Sequence, residues 1–299
     1  MTHPFQVLLY YRYVRLGDPE AFAEAQRELC EGLGLLGRIL VAAEGINGTV
    51  SGETEATEEY MRVMRAWPAT ADMEFKIDAA GGHAFKKLSI KVRDELVALN
   101  LEGGEDIDPN ELSGDRLSPA QFREAMRAGD AILLDGRNDY ESELGRFHGA
   151  ICPPVKHFRD FPQWIRENLE DAKDKPVLTY CTGGIRCEKL SGFLLKEGFK
   201  SVAQLDGGIV SYGKDPETSG EDFEGRCYVF DSRISVPVNR ANPKVVARCR
   251  CCGEPSERYV NCAHKPCNAK IFLCESCEAA GGRYCGEACR TAGPAVSSG

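Results

Sequence analysis

Cys181 is the residue whose sequence surroundings most strongly favour chemistry. It follows the apolar run 176–180, which predicts a buried strand, and precedes residues 188–196, whose apolar spacing predicts a helix. Gly183 and Gly184 lie between them, and glycines allow positive φ angles that turn successive N–H groups toward one point. The positive end of the helix dipole adds to this effect. We therefore predict that Cys181 is a reactive thiolate.

Arg186 and Cys187 complete this loop on its helical side. The charge of Arg186 and the backbone amides of the loop should together stabilise the sulfur anion. The loop residues are Thr182, Gly183, Gly184, Ile185 and Arg186. An ordinary thiol ionises at roughly pH 8.5, so this environment predicts a nucleophile at neutral pH. Cys187 either resolves an oxidised or persulfidated Cys181 as a disulfide or packs inside the first helical turn.

A second apolar segment, residues 131–137, is followed by further polar residues. In chain order these are Asp135, Arg137, Glu141 and a glycine-rich turn at 145–150. Over about residues 115–214, the order of strand, Asp-x-Arg, Glu, turn and cysteine loop resembles the rhodanese domain. The resemblance implies a parallel α/β sheet with a persulfide carried on Cys181. We interpret Asp135 and Arg137 as an ion pair that supports the loop rather than as groups that touch substrate.

The first 95 residues have the pattern of a separate α+β unit. Asp18 and Pro19 mark the start of a helix, and a glycine-rich break at 44–48 interrupts the second strand region. The remaining elements alternate, with strands predicted at 5–14, 37–50, 74–77 and 88–93 and helices at 18–34 and 55–67. This order fits a ferredoxin-like or acylphosphatase-like sandwich.

Cysteine spacing near the C-terminus predicts metal binding. The ligand candidates are eight thiols: Cys249, Cys252, Cys262, Cys267, Cys274, Cys277, Cys285 and Cys289. Two C-x-x-C pairs within so short a segment indicate zinc, because each pair wraps one ion and a distant pair completes a tetrahedron. We predict two structural zinc sites of four cysteines each, without assigning which four share an ion. Cys251 is interpreted as a spare thiol and His264 as a surface residue.

With 299 residues, the chain is expected to be a multidomain α/β protein. The expected order is a ferredoxin-like or acylphosphatase-like domain at 1–95, a linker at 96–114, a rhodanese domain at 115–214, a second linker at 215–245, a zinc-binding module at 246–291 and a disordered tail at 292–299.

The location of the protein follows from its N-terminus and its cysteines. The first residues lack the basic start and cleavage site of a secretion signal, and no apolar stretch is long enough to cross a bilayer. Without such a signal, 14 cysteines favour reduced thiols and metal ligation over disulfides. We expect a cytoplasmic protein that does not bind membranes.

Three further segments narrow the resemblance. Residues 43–52, 83–93 and 206–212 look like signatures of one rhodanese-containing subfamily, the bacterial tRNA uridine(34) hydroxylases, and the similarity extends from about residue 5 to residue 289. The resemblance implies an oxidoreductase that uses molecular oxygen to convert the wobble uridine of tRNA to 5-hydroxyuridine. It also implies that Cys181 is the catalytic cysteine and that the anticodon loop is the binding partner.

The net charge of −9 means that tRNA must bind through local basic patches. One candidate patch lies in the N-terminal domain and one near the zinc module; their members include Lys86, Lys87, Lys91, Arg93, Arg248 and Arg250. Either patch is alternatively a plain solvated face. Tyr259 and Phe272 either stack on an unpaired base or pack inside the zinc module.

Two other functions stay open on the residues alone. One is a rhodanese-type sulfurtransferase that passes persulfide sulfur to a protein or small acceptor without oxygen. The other is a zinc-dependent RNA-binding module in which the rhodanese fold has lost its activity. A sulfur donor or a reductant protein is a candidate partner of the enzyme.

Overall fold

The computed structural model describes residues 4–101 and 106–293. The tail predicted to be disordered lies outside these ranges from residue 294 onward. Within the described ranges, no helix has the length and apolar character needed to cross a membrane.

The N-terminal region folds as a sheet with helices against one face. Its elements are β1 (Phe5–Tyr13), α1 (Pro19–Gly32), β2 (Leu36–Ala42), β3 (Gly45–Glu53), α2 (Thr54–Ala66), β4 (Phe75–Ala80) and β5 (Leu88–Val92). The strands pair in the order β4-β1-β3-β2-β5, antiparallel except for β2 with β5. Asp18 caps α1 by accepting a hydrogen bond from the N–H of Ala21 at 2.9 Å. The predicted break is a β2–β3 hairpin, where Gly45 has a φ of 140° that favours glycine.

The two faces of this sheet have different neighbours. Successive side chains of a strand point to opposite faces. Tyr10 and Ile39 are completely buried in the core formed with α1 and α2. Leu9, Tyr11 and Leu40 lie on the other face, where they line a cavity shared with the rhodanese region. The helix-free face is therefore the one that meets the predicted cysteine loop.

The rhodanese region is a parallel sheet with helices on both faces. Its elements are β6 (Asp115–Leu117), α3 (Pro119–Ala128), β7 (Ile132–Asp135), α4 (Asp139–Leu144), β8 (Gly145–Phe147), α5 (Phe161–Asn168), β9 (Val177–Tyr180), α6 (Ile185–Lys196), β10 (Val202–Leu205) and α7 (Gly208–Tyr212). The parallel order is β6-β10-β9-β7. Every residue of β9 is buried, as expected for a strand covered on both sides.

The segment 215–245 differs from the linker expected there. It contains β11 (Phe223–Tyr228), which pairs antiparallel with β8, and β12 (Ser235–Pro237), which pairs with β11. Phe223, Cys227 and Val238 are buried in the same core as β9. Glycine, charged residues and prolines dilute the apolar signal of this segment, so the strand pattern is weak in the sequence.

The C-terminal module is small. It contains β13 (Tyr259–Asn261), β14 (Lys270–Phe272), α8 (Glu275–Ala279) and α9 (Glu287–Ala292), with β13 and β14 paired antiparallel. Its buried apolar side chains include Val260, Ile271 and Leu273. So small a core indicates that cross-links supply much of the stability.

Helix α6 joins the rhodanese region to the N-terminal sheet through buried charges. Lys189 has no exposed surface, and its Nζ lies within 2.9 Å of carboxylate oxygens of Glu44, Glu95 and Asp106. The neighbouring Glu188 accepts a hydrogen bond from the Tyr11 hydroxyl at 2.8 Å. A buried charge is tolerated when it is paired, and the loss of its partners is strongly destabilising. The first turns of α6 are thus fixed against the sheet that faces the cysteine loop.

Candidate functional site

Cys181 lies at the carboxyl end of β9, where the chain turns into α6. Gly184 has a φ of 104°, and α6 begins immediately after it at Ile185. The helix therefore starts three residues before the predicted residue 188. Of the two glycines predicted to have positive φ, Gly184 has it and Gly183 is not among the positive-φ residues. One residue with a positive φ is therefore enough for the turn to direct a backbone N–H group, that of Gly184, toward the Cys181 sulfur.

The charge of the Cys181 thiol is set by opposing effects. Burial alone would raise its pKa. A hydrogen bond from the Cys187 thiol, the Arg186 charge and the N–H groups of Cys187 and Gly184 more than offset burial and lower the pKa to about 5. The Gly184 nitrogen lies 3.1 Å from the sulfur. Gly184 and Cys187 are thus donors to the sulfur.

Cys187 is the protonated partner of this thiol pair. Its pKa is raised by burial and by the hydrogen bond to Cys181. The two cysteines therefore divide the charge, with a thiolate on Cys181 and a thiol donor on Cys187 at neutral pH. Cys187 is also buried in the first turn of α6, so the packing and the chemical interpretations made from sequence are compatible.

Glu141 is a functional neighbour that the sequence showed only as part of a motif. Its carboxylate accepts two hydrogen bonds from the Arg186 guanidinium, at 2.7 and 2.8 Å, and it is completely buried. Burial raises the pKa of Glu141, but the Arg186 charge outweighs this and the pKa is lowered. Arg186 also lies 3.3 Å from the Thr182 hydroxyl. The Arg186 charge near the thiol is thus held rigidly by a carboxylate.

Asp135 and Arg137 form a completely buried ion pair behind the loop. The Arg137 Nε and Nη2 donate to the two Asp135 oxygens at 2.8 and 2.6 Å. Arg137 also donates to the Gly145 carbonyl at 2.6 Å, and the Tyr180 hydroxyl donates to Asp135 at 2.9 Å. These contacts tie the ends of β7 and β9 to the turn at residue 145. The pair does not line the cavity at Cys181.

A cavity of about 250 Å³ lies between the cysteine loop and the helix-free face of the N-terminal sheet. Cys181 is one of its lining residues and has no exposed surface. The close packing comes from the sheet: a Cβ on Gly184 would lie 2.8 Å from the Tyr11 hydroxyl, and one on Gly183 would lie 3.0 Å from Leu9. Phe85 and Phe230 also line the cavity. No local motif in the sequence connects these residues with Cys181.

Titration of Cys181 is expected to show an ionised thiol down to about pH 5. A lowered pKa means that the thiolate persists above that value and is lost as the pH falls through it. The measurement is the ultraviolet thiolate absorbance of the wild type minus that of Cys181→Ala, followed from about pH 4 to about pH 9. The subtraction cancels the cysteines that do not contact Cys181. Cys187, whose pKa depends on Cys181, is removed by a second subtraction, Cys187→Ala minus Cys181→Ala/Cys187→Ala. Cys187→Ala removes the sulfur donor and should move the midpoint upward, whereas an ordinary midpoint of roughly 8.5 in the wild type would contradict the assignment.

The structure sorts the eight C-terminal cysteines into two groups of four. One group is Cys249, Cys252, Cys274 and Cys277, and the other is Cys262, Cys267, Cys285 and Cys289. Within each group, all ligand atoms lie within 4.8 Å of one another. The two groups alternate along the chain. The pair Cys262 and Cys267 lies between the two pairs of the first group, and the pair Cys274 and Cys277 lies between the two pairs of the second. This pairing was left open by the sequence.

The geometry of both groups fits a tetrahedral thiolate-bound metal. Four sulfurs at a zinc–sulfur distance of about 2.3 Å are separated by roughly 3.8 Å. The sulfurs of Cys252 and Cys274 lie 3.7 Å apart, and those of Cys267 and Cys285 lie 3.5 Å apart. Cys251 and His264 belong to neither group. Both clusters could therefore hold a metal with the ligands that zinc prefers.

Comparison with known proteins gives the family. The chain matches the UPF0176 acylphosphatase like domain over residues 5–96, the Rhodanese-like domain over 118–215 and the Rhodanase C-terminal model over 224–290. It is 57% identical to the tRNA uridine(34) hydroxylase of Bacillus licheniformis, over 97% of this chain and 89% of the relative. The chain belongs to the tRNA uridine(34) hydroxylase family. The family protein of the same name in Bacillus mycoides is 54% identical, over 97% of this chain and 90% of the relative.

The predicted tRNA contacts of this tRNA uridine(34) hydroxylase family member fall into two unequal sets. The first set lines a surface groove on the N-terminal domain and consists of Lys86, Lys87, Lys91 and Arg93. The second set, Arg248 and Arg250, lies in the C-terminal module and lines neither this groove nor the Cys181 cavity. Their neighbours Lys244 and Arg258 are paired with Glu224 and Glu278.

The aromatic residues of the C-terminal module pack within the protein. Phe272 is buried, and its ring centroid lies 6.3 Å from that of Tyr259. Tyr259 in turn belongs to a set of tyrosines around the Lys270 ammonium, which lies 3.7 Å from the Tyr140 ring centroid and 4.6 Å from that of Tyr228. Of the two roles considered from sequence, packing is the one the structure supports. The contact between Lys270 and Tyr140 also holds the C-terminal module next to Glu141, because Tyr140 directly precedes Glu141 in the chain.

Proposed function

We propose that this protein catalyses oxygen-dependent 5-hydroxylation of the wobble uridine of tRNA, with Cys181 as its catalytic cysteine. The observation that carries the proposal is a thiol with a pKa lowered to about 5 that lines a cavity shared by two domains. The similarity to relatives named tRNA uridine(34) hydroxylase over 97% of the chain supports the substrate. We assign the anticodon loop as the part of tRNA that approaches the cavity.

The atoms and electrons of the proposed reaction balance as follows. The C5–H bond of uridine is replaced by C5–OH with one atom of O₂, and the other atom leaves as water after receiving two electrons and two protons. We assign these electrons and protons to two external thiols, which are oxidised to a disulfide, or to a reductant protein. Within the chain, Cys181 supplies the nucleophile and is able to carry a persulfide. Gly184, Arg186 and Cys187 stabilise its anionic form, and Glu141 holds Arg186 in place.

The other parts of the chain support this site. Zinc at the two cysteine groups has a structural role, because a closed set of four thiolates leaves no open position for substrate. The Asp135–Arg137 pair supports the loop from behind. We place the protein in the cytoplasm, where its tRNA substrate and reduced thiols are found.

Isotope-labelled molecular oxygen tests the proposal directly. The pure protein is incubated with unmodified tRNA, a thiol reductant and labelled O₂, and the nucleosides are analysed by high-resolution mass spectrometry. We expect labelled oxygen on uridine. High resolution is required because adding an oxygen atom and replacing oxygen by sulfur give almost the same nominal mass. An unlabelled hydroxyl group, or no hydroxylated uridine, would refute oxygen-dependent hydroxylation.

The second candidate function is sulfur transfer from a persulfide on Cys181. The specific observation in its favour is the same low-pKa thiolate, because the thiolate is the form that attacks a sulfur donor. This function requires rapid turnover of thiosulfate with a cyanide acceptor and no dependence on oxygen. A separate anaerobic incubation with thiosulfate and cyanide distinguishes the two, since rapid thiocyanate formation there would favour transfer.

A further inference from the structure

A second concave feature lies on the N-terminal sheet, next to the Cys181 cavity. It is a surface groove of about 630 Å³ along the edge where β2 and β5 pair in parallel. No acidic residue of the described ranges lines it. Its five cations are Arg38, Lys86, Lys87, Lys91 and Arg93. We refer to it as the cationic groove.

The cations of this groove have no carboxylate partner in the ranges 4–101 and 106–293. Arg93 donates to the carbonyl of its own neighbour Val92 at 3.0 Å, and the groove lysines Lys86, Lys87 and Lys91 are exposed. Buried cations near the cysteine loop are, by contrast, paired: Arg186 with Glu141 and Lys189 with three carboxylates. These five exposed cations give the groove a local positive charge in a chain whose net charge is −9. The arrangement therefore indicates an anionic ligand.

The cationic groove and the thiol cavity share a border. Arg38, Leu40 and Phe85 line both of them. Arg38 and Leu40 lie on the same face of β2, opposite the buried Ile39, so the border is formed by the helix-free face of the sheet. Phe85, which is half-buried at this border, presents an aromatic ring. A polyanion held in the groove would pass this ring before reaching Cys181.

We propose that the cationic groove binds the sugar-phosphate backbone of the single-stranded anticodon loop and that Phe85 stacks on a base leading into the cavity. This inference rests on the proposed function, since it takes tRNA as the ligand. Single-stranded RNA is bound elsewhere in the same way, with an open sheet face whose aromatic side chains stack on bases and cations that follow the phosphates. The location next to the thiol gives the groove a specific task, which is to deliver one unpaired base to the cavity.

The test is the salt dependence of tRNA binding. Each phosphate contact to a single strand contributes about 0.7 to the slope of log Kd against log salt concentration. We expect the double variant Lys87→Ala/Lys91→Ala to lower this slope by about 1.4 and to weaken binding roughly tenfold near physiological salt. Binding is measured by fluorescence anisotropy of labelled, unmodified tRNA. Lys87→Arg/Lys91→Arg keeps both charges and should keep the wild-type slope.

Lys175→Ala is the matched control. Lys175 is exposed, precedes β9 and lies at the opposite end of that strand from Cys181, so its loss should leave the slope unchanged. Thermal melting checks the fold of each variant, and Lys86→Gln/Arg93→Gln is a second groove variant with the same expected loss of slope. Wild-type slopes in both folded groove variants would overturn the inference. Wild-type protein that neither binds nor hydroxylates tRNA would instead refute the proposed function.

Discussion

Replacing Cys181 with alanine is expected to reduce the rate of 5-hydroxyuridine formation by at least ~10³-fold. The residue is the thiolate that lines the cavity, and among the residues that the structure describes no other cysteine lines it. Its removal takes away the group that the loop, Arg186 and Cys187 are arranged to stabilise. The rate is measured by nucleoside analysis under single-turnover conditions. The tRNA affinity should be retained, because the cationic groove is untouched.

Cys152→Ala is the matched control for this change. Cys152 is a half-buried free thiol of the same domain, and its pKa is raised to about 11 by burial and by the Asp135 charge. It is therefore protonated at neutral pH and has no place in the proposed chemistry. We expect its variant to stay within about twofold of the wild-type rate. A Cys181→Ala protein that keeps a tenth or more of the wild-type rate would show that another group performs the reaction.

Local signals made the cysteine loop predictable. A buried strand, a glycine turn and a helix follow one another directly, so their geometry depends on neighbours in sequence. The contact between Glu141 and Arg186 depends instead on the strand order β6-β10-β9-β7, which places the chain after β7 next to the chain after β9. The sequence shows that Glu141 is part of the rhodanese pattern. It does not show that this carboxylate holds the arginine of the loop.

The walls of the cavity could not be predicted from the sequence. Leu9 and Tyr11 precede Cys181 by about 170 residues, and their role depends on how the N-terminal sheet packs on the rhodanese region. The same applies to Phe230, which follows the unpredicted strand β11. The cysteine pairing is a related case, because spacing gives the number of sites while three-dimensional interleaving decides the partners. Contacts distant in sequence were missed wherever no motif marked them.

Removal of one zinc ligand is expected to unfold much of the C-terminal module. We expect the wild type to contain two zinc ions per chain, one for each group of four thiols. Cys252→Ser should lose the ion of its own group and weaken binding at the other, because the two groups interleave. Structural zinc contributes about 10 to 16 kcal/mol of binding free energy, which so small an apolar core does not replace. Metal content is measured by elemental analysis and unfolding by limited proteolysis.

Cys251→Ser provides a control at the adjacent position. Cys251 is an exposed cysteine that belongs to neither group, so its variant should retain both ions and resist protease like the wild type. Retention of two ions by Cys252→Ser would contradict the assigned ligand set. Loss of one ion with the other bound at wild-type affinity would show that the two sites fold independently. Loss or weakening of both would establish that the interleaved chain folds as one unit, which then holds the Lys270 ammonium against Tyr140 beside Glu141.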